Sequence, residues 1–312
     1  MRLPLALLLT STTALSLSAQ APAPREMVSF AEAVHSEYVL IPAVVEDSRG
    51  RFVDGLQPRD FRVSVDGRVV GLDSFDRDDG APVSFALLVD VSGSMRNSDK
   101  LDWVKRAIRS TLRGSRPGDD FALLAFSEGE VRVVADFGTD VKDLLRRLKE
   151  LRADGNTALL DAVASTTTRA VTGRNGKRAI LLFTDGVDNS SRMSPDELRA
   201  VLESVSIPVY AIGLVTRSPF DPKDAPQPEV TTLASLAEWS GGNLFLAERD
   251  DEMGRVVSKI GKEVRRQYVL GFRPSGSGSS RYRRVSVSVE KTGRWRVRTR
   301  QGYTGTSPRP VS

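Results

Sequence analysis

The stretch A-L-L-V-D-V-S-G-S-M, Ala86 to Met95, decides how this chain folds. An apolar run long enough for a buried strand stops at Asp90, and Ser92 and Ser94 follow at a spacing of two. Continuous Val and Leu runs are the pattern of parallel strands covered on both faces. In open α/β sheets, ligands gather just beyond the carboxyl ends of such strands. Three oxygen-bearing side chains on alternate residues of a tight, Gly-containing turn can converge there on one point. Carboxylate and hydroxyl oxygens suit Mg²⁺, Ca²⁺ or Mn²⁺ and not Zn²⁺. Alone the motif is weak, because a solvated turn after a strand can carry the same residues.

Two later stretches support it. G-N-T-A-L-L-D-A places Thr157 at a Gly-Asn turn just before a helical pattern, and L-L-F-T-D-G-V-D-N-S places Asp185 directly after a second apolar strand, Ala179 to Thr184. The ordered set Asp90, Ser92, Ser94, Thr157 and Asp185 resembles the metal-ion-dependent adhesion site of von Willebrand factor type A domains, with all five positions filled. The resemblance implies a doubly wound, mostly parallel α/β sheet. It also implies that Ser92, Ser94 and Thr157 bind a cation directly, with Asp90 and Asp185 acting directly or through water. The implied ion is Mg²⁺, with Mn²⁺ or Ca²⁺ as alternatives. Asp188, close to Asp185, reads as a turn residue.

Composition narrows the class. The chain has 312 residues, 40% hydrophobic and 27% charged, which is ordinary for one or two soluble globular domains. Arg2 precedes an apolar region, Leu3 to Leu17, and S-A-Q-A-P follows; this reads as a secretory signal peptide over 1–21, cleaved near Ala19 or Ala21. The run is short and rich in Ser and Thr, which argues against a membrane anchor, and no other stretch is long and apolar enough to span one. There are no cysteines, so disulfides, thiolate metal sites and Cys nucleophiles are excluded. His35, the only histidine, lies far from any G-x-S-x-G, which leaves little basis for Ser–His hydrolysis. A net charge of +5 is mildly basic and is not the footprint of a dedicated nucleic-acid binder.

Along the chain, residues 22–33 read as a linker and 34–80 as a β segment. Tyr38 to Val45 is its first strand, with Pro42 pointing to an edge or a bulge. Phe61 to Val65 alternates, and Asp66-Gly67 signals a type I′ hairpin. The α/β region spans 81–248. Leu101, Val104, Ile108 and Leu112 recur at helical spacing; Phe121–Ser127 and Val131–Phe137 read as an antiparallel hairpin. Helices are expected over Thr139–Leu151 and Ala158–Val171, and Ser194-Pro195-Asp196-Glu197 reads as a capping box. Ile207–Val215 and Asn243–Ala247 are further strands. The long Pro-rich stretch Thr216 to Val230 falls on the expected metal rim, so Pro219, Phe220 and Asp221, together with Gly186, are candidate partner contacts; a tolerated surface insertion is an equal alternative. Gly173 to Lys177, G-R-N-G-K, lacks the spacing of a phosphate-binding loop.

Residues 249–267 read as a connecting helix, with Met253, Val256, Val257, Ile260 and Val264 on one face. Then Q-Y-V-L-G-F-R-P is a strand. Arg281–Glu290 and Arg294–Arg300 are expected to form a hairpin, with Val285, Val287 and Val289 on one side and Arg294, Arg296, Arg298 and Arg300 on the outer face of the other strand. That Arg face is expected to be solvated, with polyanion contact as the alternative. Residues 305–312 read as a disordered tail. Neither β segment has a good core alone, so 268–304 is expected to pair with 34–80 in one β-sandwich. This order is similar to a secreted bacterial family of VWFA-related proteins, in which L-x-x-x-D-F-x-V precedes the module and R-x-Q-Y-x-L-G follows it; Leu56–Val63 and Arg265–Gly271 match.

The expected function is an exported, periplasmic or extracellular binding module that uses its cation to capture an Asp or Glu carboxylate of a protein partner, without turnover. A cell-envelope scaffold with a bracing metal is the alternative, and a metal-dependent hydrolase a weaker one. A further expectation is that the 249–267 helix relays occupancy of the metal site to the sandwich.

Overall fold

The computed structural model describes residues 38–128, 130–215, 228–274 and 282–304. Its central strand is β5 (Val83–Asp90), in which every residue is buried. β1 (Val39–Asp47), β2 (Phe61–Val65), β3 (Arg68–Val70) and β4 (Ser74–Asp76) precede it. The α/β unit continues through α1 (Lys100–Arg113), β6 (Asp120–Ser127), β7 (Glu130–Ala135), α2 (Val141–Glu150), α3 (Leu159–Ala170) and β8 (Lys177–Thr184). It closes with α4 (Pro195–Ser204), β9 (Val209–Leu214), α5 (Pro228–Ser240), β10 (Asn243–Ala247) and α6 (Asp250–Arg265). The last strands are β11 (Tyr268–Phe272), β12 (Tyr282–Val289), β13 (Trp295–Thr299) and β14 (Gly302–Thr304).

The six-stranded sheet has the order β10-β9-β8-β5-β6-β7, parallel except for β7. β5 carries apolar residues on both faces. Phe85, Leu87 and Val89 pack with Val104 and Ile108 of α1, Leu144 of α2 and Ile260 of α6. Ala86 and Leu88 pack with Leu159 and Val163 of α3, Leu198 of α4 and Leu236 of α5. Each fully buried Leu or Phe contributes roughly 1.5–3 kcal/mol, so this three-layer core dominates the stability of the unit. The expected capping box is present: the Ser194 hydroxyl accepts from the Glu197 amide at 3.3 Å, and the Glu197 carboxylate accepts from the Ser194 amide at 2.8 Å. α5 was not foreseen. Its T-T-L-A-S-L-A segment offers little contrast between faces.

The flanking segments build a sandwich of two four-stranded sheets, β13-β1-β11-β4 and β14-β12-β2-β3. N- and C-terminal strands pair directly in both, β1 with β11 and β13, and β2 with β12. Ile41, Val45, Val63, Tyr268 and Leu270 lie in their shared core. Two expectations are corrected. β1 is an interior strand, so Pro42 marks no edge; β13 pairs with it from Ala43 onward, and Pro42 sits where that ladder ends. Residues 282–300 do not form a hairpin. β12 joins β2 in one sheet and β13 joins β1 in the other, because each finds an apolar partner strand already in place. Val285, Val287, Trp295 and Val297 therefore meet across one core from opposite sheets.

The Arg face of β13 is likewise not simply solvated. Arg298 donates to Glu263 Oε1 at 2.6 Å and to the Gly242 carbonyl at 2.9 Å, and Arg300 is buried, donating to the Val205 and Leu40 carbonyls. Both residues clasp the sandwich to the α/β unit. At the far end of α6, Arg265 makes a two-point ion pair with Asp119 at 3.0 and 2.5 Å. Lys177 donates to the Asp78 and Arg265 carbonyls, both at 2.7 Å, and burial lowers its pKa to about 8.

Candidate metal centre

The chain runs from β5 through α1 to β6 on one side, whereas β8, β9 and β10 extend the sheet on the other. The order of connection thus reverses between β5 and β8, and ligands bind at such switch points, beyond the carboxyl ends of the strands. Asp90 ends β5, and Thr184 ends the adjacent parallel β8 with Asp185 next in the chain. The alternation that buries both faces of two neighbouring strands therefore delivers two carboxylates to one crevice.

Three loops are tied together around it. The Gly93 amide donates to the Gly155 carbonyl at 2.8 Å and the Asp154 amide to the Val91 carbonyl at 2.7 Å, which fastens the loop carrying Ser92 and Ser94 to the one carrying Thr157. The Thr157 amide donates to Asn189 Oδ1 at 2.9 Å, while the amides of Asn189 and Ser190 donate back to the Thr157 carbonyl at 3.0 Å, which fastens the Thr157 loop to the segment after Asp185. Asp90, Ser92 and Thr157 are buried; Ser94 and Asp185 are half-buried. The hydroxyls of Ser92 and Ser94 stand 3.1 Å apart.

Asp90 is held by two donors: the Ser92 amide at 2.8 Å on Oδ1 and the Thr184 hydroxyl at 2.6 Å on Oδ2. These bonds favour its ionised form, but burial outweighs them and raises its pKa to about 6. A buried carboxylate held partly toward neutrality is one that a cation would stabilise. Asp185 gives Oδ2 to the ammonium of Lys100 at 3.0 Å, and both side chains are nearly inaccessible. Among the described residues its other oxygen, Oδ1, is buried without a hydrogen-bond partner, an arrangement that proteins rarely leave uncompensated. A buried carboxylate oxygen left without a partner fits a hard divalent cation. Ser92, Ser94 and Thr157 would supply neutral oxygens, and Asp90 and Asp185 the charge.

Asp90 and Asp185 thus stand at the ends of adjacent strands, and hydrogen bonds tie together the loops that carry Ser92, Ser94 and Thr157. Asp188 acts locally, its carboxylate accepting from the Ser191 amide at 3.2 Å. Gly186, expected at the partner surface, is instead buried. Its backbone adopts φ +84°, and a side chain there would meet Glu229 Cβ at 2.9 Å, so it is a packing position beneath α5. Pro219, Phe220 and Asp221 lie outside the described residues. Three contributors were missed. Thr184 and Asn189 stand beside recognised positions and were within reach of a closer reading of those turns. Lys100 was not, since it reads as one more solvent-facing cation of an amphipathic helix.

The α/β unit at the centre of the chain is similar to the von Willebrand factor type A domain. Residues 85–187 match the family model for that domain. The chain is similar to mouse (Mus musculus) integrin alpha-X, at 32% identity over 140 residues that cover 41% of this chain and 12% of that protein. It is also similar to an uncharacterised protein of Borreliella burgdorferi, at 23% identity over 45% of this chain and 43% of that one. It therefore spans less than half the length of either relative. Among solved structures, a von Willebrand factor type A protein from Catenulispora acidiphila superposes with a TM-score of 0.51 at 14% identity, covering 79% of this chain and 73% of that one. Proximal thread matrix protein 1 from the mussel byssus superposes with a TM-score of 0.50 at 17% identity, covering 64% and 49%. These likenesses establish the fold. Among the described residues, no helix is long and apolar enough to cross a membrane.

Proposed function

We propose that this chain is an exported binding module that captures an acidic group of a protein partner through a divalent cation held by Asp90, Ser92, Ser94, Thr157 and Asp185. The single observation that carries the reading is the buried, unpartnered Oδ1 of Asp185 in the crevice where β5 and β8 end. Three hydroxyls and two carboxylates do not saturate a six-coordinate ion, so at least one position stays open to solvent or to a partner's carboxylate. Neutral hydroxyls leave the ion electrophilic, which favours that exchange. The resemblance to integrin alpha-X supports a role in adhesion, and the apolar leader read in residues 1–21 supports export.

The lacing of all three loops by backbone hydrogen bonds favours a second reading, in which the cation only braces the rim of a structural scaffold. The two separate in a cross-linking pull-down from the native envelope, run with Mg²⁺ and again with EDTA. The binding module loses its partner in EDTA. A partner retained in EDTA, alongside a lowered melting temperature, establishes the scaffold and rejects capture.

A further inference from the structure

We infer that Lys100 is a tethered competitor of the divalent cation: its ammonium occupies Asp185 when the metal is absent and must leave that carboxylate for the metal to bind. This rests on the reading of the crevice as a cation site and concerns how strongly that site binds. Lys100 is the first residue of α1, directly after the 3₁₀ segment Gly93–Asp99 that carries Ser94. Asp99 stands at φ +56°, a left-handed conformation that costs a non-Gly residue energy and that Asp tolerates better than most. The sharp turn this makes directs Lys100 into the crevice, where an outward course would have left its ammonium in water. Lysine is rarely buried unless paired. Among the described residues it is buried with one carboxylate partner, at 3.0 Å, and that partner is one of the two charges the cation needs.

Two consequences follow from charge. With Lys100 in place, the crevice offers a divalent ion one net negative charge instead of two. A cation within about 4–6 Å changes a carboxylate's affinity for a proton by roughly 10- to 1000-fold, and a metal ion competes against the same field. Wild-type affinity is therefore set well below what the five ligands alone would give. The site is emptied readily, and the charge of Asp185 is never left uncompensated: either the metal or Lys100 holds it.

The test is Mn²⁺ binding, followed by EPR of the free ion, for the full chain and for Lys100→Met and Lys100→Gln, with folding checked by circular dichroism. Both substitutions should tighten Mn²⁺ binding at least tenfold. In the unaltered protein, amine acylation of Lys100 read by mass spectrometry should accelerate when Mn²⁺ saturates the site, because the ammonium has left its partner. Mn²⁺ binding to the wild type with unchanged or weaker affinity in the variants overturns the inference and leaves the proposed metal site standing. Mn²⁺ binding to the variants alone supports the inference and removes metal-dependent capture by the wild type. No binding in any of the three overturns both. If neither variant folds, the acylation rate of the wild type decides, and a rate that Mn²⁺ leaves unchanged or lowers refutes the competition.

Discussion

Asp90→Asn isolates the electrostatic cost of the metal crevice. Burial raises the Asp90 pKa from 3.8 to about 6, so without metal the ionised side chain destabilises the fold by about 3 kcal/mol at neutral pH, at ~1.4 kcal/mol for each tenfold change. Asparagine removes that charge. Its oxygen keeps accepting from the Ser92 amide, but the Thr184 hydroxyl loses an ionised acceptor, which costs about 1.5 kcal/mol. The net expectation in EDTA at pH 7.5 is a variant more stable than wild type by roughly 1–2 kcal/mol. The sign follows from proton binding. Between pH 3.8 and about 6, the folded state binds more protons at Asp90 than the unfolded state, so wild-type stability falls as pH rises through that window. At pH 4 the folded-state carboxyl is neutral while the unfolded-state one is about half ionised, so most of the advantage of Asn is gone and the variant is the weaker by up to about 1 kcal/mol. Urea denaturation of both proteins at pH 4 and 7.5 should therefore show their order invert. Saturating Mg²⁺ at pH 7.5 should stabilise only the wild type, by about 2.7 kcal/mol at a hundredfold excess over Kd. A variant less stable than wild type in EDTA at pH 7.5, or a difference that does not change with pH, refutes this account of Asp90.

Arg298→Met leaves Glu263, which is fully buried, without the guanidinium it meets at 2.6 Å; the loss should be about 3–5 kcal/mol in urea melts, and Glu263→Gln in the same chain should recover much of it. Gly241→Ala should destabilise by more than about 1 kcal/mol, since φ is +80° and the new Cβ would stand 2.4 Å from the backbone nitrogen of Arg300. Gly254→Ala, inside α6 with no atom within 4 Å of the new Cβ, should instead stabilise by up to about 1 kcal/mol; equal effects at the two positions would contradict the close approach at Gly241.

The parallel sheet was legible because its strands are buried on both faces, which writes an uninterrupted apolar run ending in a polar residue, as at Leu88-Val89-Asp90 and Phe183-Thr184-Asp185. The positions of Asp90 and Asp185 were legible for the same reason, since both stand at strand ends. The pairing of 34–80 with 268–304 was legible from the shortage of core in each. The partner of each sandwich strand was not, because the alternation in Val285-Val287-Val289 says that one face is buried but not against which neighbour. A tight turn after Val289 suits a hairpin locally, and the tertiary offer of Val65, Val63 and Phe61 overrode it. The Arg residues of β13 show the same limit. Their periodicity marks a polar face, and only the packed structure turns Arg298 and Arg300 of that face toward Glu263 and the carbonyls of the α/β unit. Lys100 is the sharpest case, because a helix-surface cation and a buried competitor for a carboxylate have identical local sequence.

The most direct test of the central claim is the anomalous difference density of crystals of the chain grown with Mn²⁺. The account predicts one strong peak within about 2.5 Å of oxygen ligands from Ser92, Ser94 and Thr157, with Asp90 and Asp185 bound to it directly or through water and one position open to solvent. No peak in that crevice at saturating Mn²⁺, or a peak held by other residues, would contradict it.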